Sequence, residues 1–92
     1  MKNNLTFKLY TVDFQTPTIE CDYVKLNISD DKNEKFSGSY GIKKGHTNAV
    51  FSLCDGTVNV YKDEKIIYSA KTSSGFAVIE DNEVCITVDE IK

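Results

Sequence analysis

The sequence predicts an all-β fold, a small antiparallel β-sandwich or flattened barrel of about 8–10 short strands. Apolar and polar residues alternate with a period of two along most of the chain, which is typical of half-buried strands. Turn-forming residues separate these runs, and no stretch has the period of a helix. The 92 residues suffice for one hydrophobic core, so we expect residues 1–92 to form a single domain.

The predicted strands follow one another closely along the chain. "LTFKLYTV", "YVKLNI", "TNAVFSL", "GTVNVYK" and "EVCITVD" each turn every second side chain toward the core. The predicted inward positions are Leu5, Phe7, Leu9, Val24, Leu26, Ile28, Ala49, Phe51, Leu53, Val58, Val60, Val84, Ile86 and Val88. "KIIYSA" and "GFAVIE" are more continuously apolar, which predicts strands that are covered on both faces.

The connections carry recognisable turn residues. Asp55-Gly56 predicts a hairpin, "KDEK" at Lys62–Lys65 has hairpin length, and Asp81-Asn82 suits a tight turn. "TSSG" ends one strand before the next, and Pro17 precedes the second strand, where its missing N–H does no harm. The polar stretch "SDDKNEKFSGSY", Ser29 to Tyr40, is predicted to be a loop.

Composition argues against several classes of protein. The net charge is −3 and the pI is about 5.0, so a nucleic-acid partner is not expected. The start "MKNNLTFKLY" lacks the apolar segment of a signal peptide, and no apolar run approaches the ~20 residues of a membrane helix. Cys21, Cys54 and Cys85 are odd in number and widely spaced, which predicts buried or half-buried thiols of a reducing compartment.

The segment "GIKKGHTN", Gly41 to Asn48, contains the only histidine and is the obvious candidate for a site. It departs from the P-loop spacing, and a strand pattern rather than a helix follows it, so it does not predict phosphate binding. One histidine and three scattered cysteines match no zinc site. A dyad of His46 with a cysteine or Asp55 is conceivable but has almost no specificity. We therefore expect no catalytic residue, metal, cofactor or small-molecule ligand.

An ordered series of residues connects the chain to a known family. "YGIKKGHTN" is followed by a strand, "DGTVNVY", a hairpin and "SSGFAVIEDNEVCITVDE". This series resembles the N-terminal β-sandwich of the epsilon subunit of F-type ATP synthases. The matching positions are Gly41, Ile42, Gly45, His46, Gly56, Val58, Ser74, Gly75, Phe76, Val78, Asn82, Val84, Thr87 and Asp89. The chain departs from the usual pattern at Lys44 and Asn48, where the family usually has proline, and in its longer loop at 29–39. Within the matching series, Ser74 stands in place of the first of the two glycines that usually precede the phenylalanine.

The resemblance implies a non-catalytic rotor subunit of the central stalk. Such a subunit links the gamma subunit to the c-ring, couples proton transport to ATP synthesis or hydrolysis, and is peripheral on the cytoplasmic side of the cell membrane. It also implies that Gly45, His46 and Thr47 face gamma, while Ser39 and Tyr40 lie at the end that faces the c-ring. The family's C-terminal helical hairpin has no counterpart in the sequence, so no ATP site or inhibitory arm is expected.

Three alternatives remain open from the sequence. His46 can instead cap a turn or fill the edge of the core. The same subunit can serve a specialised F-type-like rotary ATPase that is not used for ATP synthesis. A free-standing β-sandwich binding module is also possible, and it would need exposed aromatic side chains in a row, for which Tyr10, Tyr23, Tyr61 and Tyr68 are candidates.

Overall fold

The computed structural model describes residues 4–29 and 37–92, and strands occupy most of that part of the chain. The strands are β1 Leu5–Tyr10, β2 Ile19–Cys21, β3 Tyr23–Ser29, β4 Ser37–Lys43, β5 Ala49–Leu53, β6 Gly56–Lys62, β7 Lys65–Thr72, β8 Gly75–Glu80 and β9 Glu83–Val88. The described ranges contain no helix, and hence no helix long and apolar enough to cross a membrane. The predicted all-β class is confirmed.

The strands form a curled sheet in the order β2-β1-β9-β8-β5-β3-β6-β7, with β4 paired to β3. Every pairing is antiparallel except that of β1 with β9, which runs parallel from Thr6 opposite Glu83 to Tyr10 opposite Thr87. The first and last strands of the chain therefore lie side by side. Strand β1 thus lies between β2 and β9 and is not an edge strand.

The core lies between the two halves of the curled sheet. The rings of Phe7 on β1 and Tyr68 on β7 approach across it, with centroids 5.8 Å apart. Nearly all of the predicted inward positions are buried; Ile28, Ala49 and Phe51 are only partly so and pack against the core's margin. Removing this apolar surface from water is the main source of stability for a domain of this size.

Two tight hairpins join neighbouring strands, as predicted. Asp63 and Glu64 connect β6 to β7 with φ of 53° and 66°, and Asp81 and Asn82 connect β8 to β9 with φ of 50° and 62°. Left-handed conformations at both central positions match the twist of the flanking strands. Asp81 and Asn82 tolerate these angles better than most residues do, which is why the sequence indicated that turn, whereas the turn at 63–64 was predicted from the length and polarity of its connection.

The predicted hairpin at Asp55-Gly56 is wrong, because β5 and β6 do not pair with each other. Both lie along the same edge of β3, with Leu53 opposite Ile28 and Asn59 opposite Lys25. The chain bulges between these two pairs and passes from the β8 side of the sheet to the β7 side. The turn dipeptide thus marks a corner of the sandwich and not a reversal of direction.

The prediction that "KIIYSA" and "GFAVIE" are covered on both faces is also wrong. Ile66 and Ile67 on β7 and Phe76 and Val78 on β8 are exposed. Only one side of each strand meets the core, and no second layer lies over the other side within the part of the chain that is described. The continuous apolar run reflects surface that this domain alone leaves uncovered.

The predicted loop from Ser29 to Tyr40 is partly wrong. Ser29 ends β3, and β4 begins at Ser37, so the last residues of that stretch pair with β3. Residues 30–36 of the predicted loop lie outside the described residues. Strand β4 also includes Gly41, Ile42 and Lys43, which shortens the irregular part of "GIKKGHTN" to its second half.

Candidate interface surface

The irregular segment Gly45–Asn48 is held by the β8–β9 turn. The Gly45 N–H donates to the Asn82 Oδ1 at 2.8 Å, and the Asp81 N–H donates to the Asn48 Oδ1 at 3.2 Å. Gly45 has a φ of 86°, a conformation that glycine adopts without steric cost. These contacts give the segment a defined position beside the start of β5.

His46 uses both of its ring nitrogens within the domain. Nδ1 lies 2.6 Å from the Thr47 carbonyl oxygen, and Nε2 lies 2.6 Å from the Tyr40 hydroxyl. A neutral ring with its proton on Nδ1 satisfies both contacts, because Nδ1–H then donates to the carbonyl and Nε2 accepts from the hydroxyl. The half-buried ring also packs edge-on against Tyr40 and Phe51, with centroids 5.7 and 6.2 Å away. His46 therefore fills the margin of the core, as one of the alternatives predicted.

The residues predicted to serve two surfaces lie next to each other. Tyr40 and His46 are in direct contact through their side chains, while Gly45, Thr47 and Ser39 are exposed. Their roles toward gamma or the c-ring stay predictions. The contact shows that the two predicted surfaces share a boundary at the Tyr40–His46 pair.

The segment offers little to a phosphate group. A shallow hollow of about 460 Å³ beside it is lined by Tyr23, Gly41, Lys43, Lys44, Gly45 and His46. The Gly45 N–H donates to Asn82 Oδ1, and the His46 N–H donates to the Lys43 carbonyl at 3.2 Å. Since these backbone donors are occupied, they do not form the row of free N–H groups that cradles phosphate.

The cysteines provide no reactive or metal-binding site within the described ranges. None of the three cysteines forms a disulfide, and no group of three potential metal ligands occurs within the described ranges. Cys21 is buried beside Asp22, and burial, with a smaller contribution from that carboxylate, raises the pKa of its thiol to about 11. A thiol that stays protonated is a poor nucleophile. Cys54 and Cys85 are half-buried, as expected.

An exposed apolar surface adjoins the Gly45–Asn48 segment, and the sequence analysis missed it. Val50 on β5 lies opposite Val78 on β8, and Phe76 is two residues from Val78 on the same face. The exposed fraction is 68% for Val50, 40% for Val78 and 58% for Phe76. We call Val50, Phe76 and Val78 the β5–β8 face. The signal was a break in the apolar–polar alternation, because in "AVFSL" and "GFAVIE" apolar residues occupy outward positions as well as inward ones.

The four tyrosines do not form the row that a free-standing binding module would need. Tyr23 and Tyr61 pack together with centroids 5.5 Å apart, whereas Tyr68 packs on Phe7. Tyr10 lies on β1, on the other half of the sheet.

Comparison with known proteins identifies the family. Residues 24–92 match the family described as "ATP synthase, Delta/Epsilon chain, beta-sandwich domain". No curated protein sequence matches the chain.

Two solved structures share the fold. A chain of the Euglena gracilis mitochondrial ATP synthase, in a cryo-EM structure of OSCP/F1/c-ring in rotational state 1, is 21% identical with a TM-score of 0.77. The alignment covers 100% of the present chain and 54% of the Euglena chain. A chain of the Tetrahymena thermophila mitochondrial ATP synthase central stalk/c-ring is 12% identical with a TM-score of 0.73, over 99% of the present chain and 67% of the other.

The present chain thus spans about half the length of its Euglena counterpart. Because the family model matches residues 24–92, most of the chain, the chain belongs to the β-sandwich domain family of ATP synthase delta/epsilon chains.

Proposed function

We propose that this domain is a non-catalytic part of the central stalk of an F-type rotary ATPase, where it links the gamma subunit to the c-ring. The β5–β8 face carries the proposal, because an apolar patch on the outer side of a sheet is costly to leave in water. Family membership makes gamma the partner that we propose for this surface. The domain would then be peripheral to the membrane, on the cytoplasmic side, through the complex it joins.

The proposed gamma-binding surface extends from the β5–β8 face to Gly45 and Thr47. Thr47 is exposed and lies three residues before Val50, so one partner surface can reach both. The His46 ring supports this surface from beneath through Tyr40 and Phe51. A partner that covers Phe76 and Val78 would remove from water the side chains that the isolated domain leaves exposed.

The proposed coupling role depends on stiffness as well as contact. A part that transmits torque must hold its two binding surfaces in a fixed relation, and a close-packed β-sandwich core resists deformation. We propose that Ser39, exposed on β4, belongs to the end that faces the c-ring. A rotary complex that is not used for ATP synthesis would employ the same surfaces, and the subunits that co-purify with the chain would identify the machine.

The test is a binding measurement with purified gamma subunit. In the variant Phe76→Thr/Val78→Thr, the apolar surface becomes polar while residues suited to strands are kept. We expect its affinity for gamma to fall by at least tenfold, on the order of the loss when one buried aromatic contact is removed. The matched control is Ile66→Thr, which removes a similarly exposed apolar side chain from β7. An unchanged affinity of the double variant, with an unchanged thermal transition, would refute the assignment of gamma to this face.

A further inference from the structure

Strand β7 is an end strand of the curled sheet, and most of its outer edge has no strand partner among the described residues. Only its last residues are covered: Ile91 forms a bridge with Thr72, and the Lys92 N–H donates to the Lys71 carbonyl at 2.7 Å. The stretch before them, 65–70, includes the exposed residues Ile66 and Ile67. A free, apolar strand edge is a ready template for another extended segment.

A groove of about 450 Å³ opens beside this edge. Tyr68 of β7 forms one wall, the β1–β2 connection at 11–14 a second, and residues 89–91 a third. Val12, Phe14 and Ile91 contribute apolar surface and are 90%, 49% and 37% exposed. The connection is a formed turn, since the Thr11 N–H donates to the Phe14 carbonyl at 2.8 Å. The groove is therefore present before any partner arrives.

The charged residues that line the groove have one sign, whereas Lys65 and Lys71 of β7 are not among its lining residues. Asp13, Asp89 and Glu90 line it, and none of its lining residues is basic. An anionic lipid surface or an acidic peptide would be repelled here, whereas lysine or arginine side chains would be attracted. A second copy of the chain would bring its own acidic groove to the same place. Charge complementarity thus selects a basic occupant that also carries apolar side chains.

We propose that the β7 edge and this groove together bind an extended segment of a partner chain that presents both apolar and basic side chains to the groove. Its backbone pairs with residues 65–70 of β7, a stretch about 20 Å long. Every second residue of the segment faces the groove, and these positions carry both apolar side chains, which pack against Val12 and Phe14, and basic side chains, which lie against Asp13 and Glu90. In this mode of recognition, main-chain hydrogen bonds supply affinity and the side-chain pockets supply specificity. The site is separate from the β5–β8 face and does not depend on its assignment to gamma.

The test uses two synthetic eight-residue peptides and the folded full chain. One peptide carries valine and lysine in turn at every second position, with threonine at the positions between them. The other has glutamate in place of lysine, and both are capped at their ends. NMR titration should show that the lysine peptide binds at least tenfold more tightly than the glutamate peptide. Hydrogen exchange of the backbone amides of Ile66, Ile67 and nearby β7 residues should slow when the lysine peptide is bound.

Two matched variants distinguish this site from the proposed gamma surface. Val12→Asn should weaken binding of the lysine peptide about tenfold, while Val50→Asn, at an exposed valine of the β5–β8 face, should leave it unchanged. Asp13→Asn/Glu90→Gln should reduce both the affinity and its dependence on salt.

Equal affinity of the two peptides, or binding without protection of β7 amides, would overturn the proposal. So would a self-association of the chain that protects β7 in the absence of peptide, since a second copy would then be the occupant. Failure of gamma to respond to Phe76→Thr/Val78→Thr would leave these results unaffected.

Discussion

Replacing Gly75 with alanine would place a methyl group against the backbone of the neighbouring strand. Gly75 begins β8 and lies opposite Val88 of β9. The added Cβ would overlap the Thr87 carbonyl oxygen and would lie 2.8 Å from the Val88 Cα. Because these are backbone atoms, no rotamer change can relieve the overlap, and the β8–β9 pair must shift.

We expect Gly75→Ala to reduce the free energy of unfolding by about 2–3 kcal/mol, the upper part of the range for overpacked sites. For a domain of this size, that loss corresponds to a fall in Tm of roughly 8–24 °C. Urea unfolding followed by circular dichroism measures the first quantity, and a thermal scan measures the second.

The matched control is Gly56→Ala, at which the new Cβ meets the side chain of Asn27. That side chain is half-buried and can turn away, so we expect a smaller loss, about 1 kcal/mol or less. If Gly75→Ala unfolded at the same urea concentration as the parent, or if Gly56→Ala were the more damaging change, the reasoning from backbone overlap would be refuted.

Three further predictions address burial, hydrogen bonding and titration. Val60→Ala should lower the free energy of unfolding by about 2–3 kcal/mol, because Val60 is fully buried. Val50→Ala, at a valine that is 68% exposed, should change it by less than about 0.5 kcal/mol, and the midpoints of urea unfolding measure both effects. Tyr40→Phe keeps the ring but removes the hydroxyl that is hydrogen-bonded to His46, and it should lower the free energy of unfolding by about 1 kcal/mol. An unchanged midpoint of urea unfolding would show that this hydrogen bond does not stabilise the domain. Burial raises the pKa of the Cys21 thiol from 9.0 to about 11, so between these pH values the folded chain retains a proton that the unfolded chain has lost. The contribution of Cys21 to the free energy of unfolding should therefore be constant below pH 9 and should fall by at most ~3 kcal/mol as the pH rises to 11. In unfolding experiments at successive pH values, Cys21→Ala should remove this decrease.

The sequence alone determined most of the strands, their inward faces and the two tight hairpins, although the part of β4 from Ser37 to Tyr40 was predicted to be a loop. Alternation is a local property, because successive side chains of a strand point to opposite sides whatever the rest of the fold does. Leu5, Phe7 and Leu9 are therefore buried as predicted. The turn at 81–82 was readable because left-handed backbone angles favour aspartate and asparagine, and the turn at 63–64 was readable because a short polar connection separates two apolar runs. The Gly-His segment and the series after it also indicated the family.

Only the tertiary structure decided which strands meet and which faces stay open. Asp55-Gly56 looks like a hairpin turn, yet it is a corner, because β3 offers one edge to both β5 and β6. The β5–β8 face could not be recognised in advance, because an apolar outward position has the same sequence whether a second layer, a partner or water covers it. Likewise, the contact between Tyr40 and His46 depends on where β4 ends relative to β5. Local sequence controls the direction of each side chain, but what lies opposite that side chain depends on distant parts of the chain and on its partners.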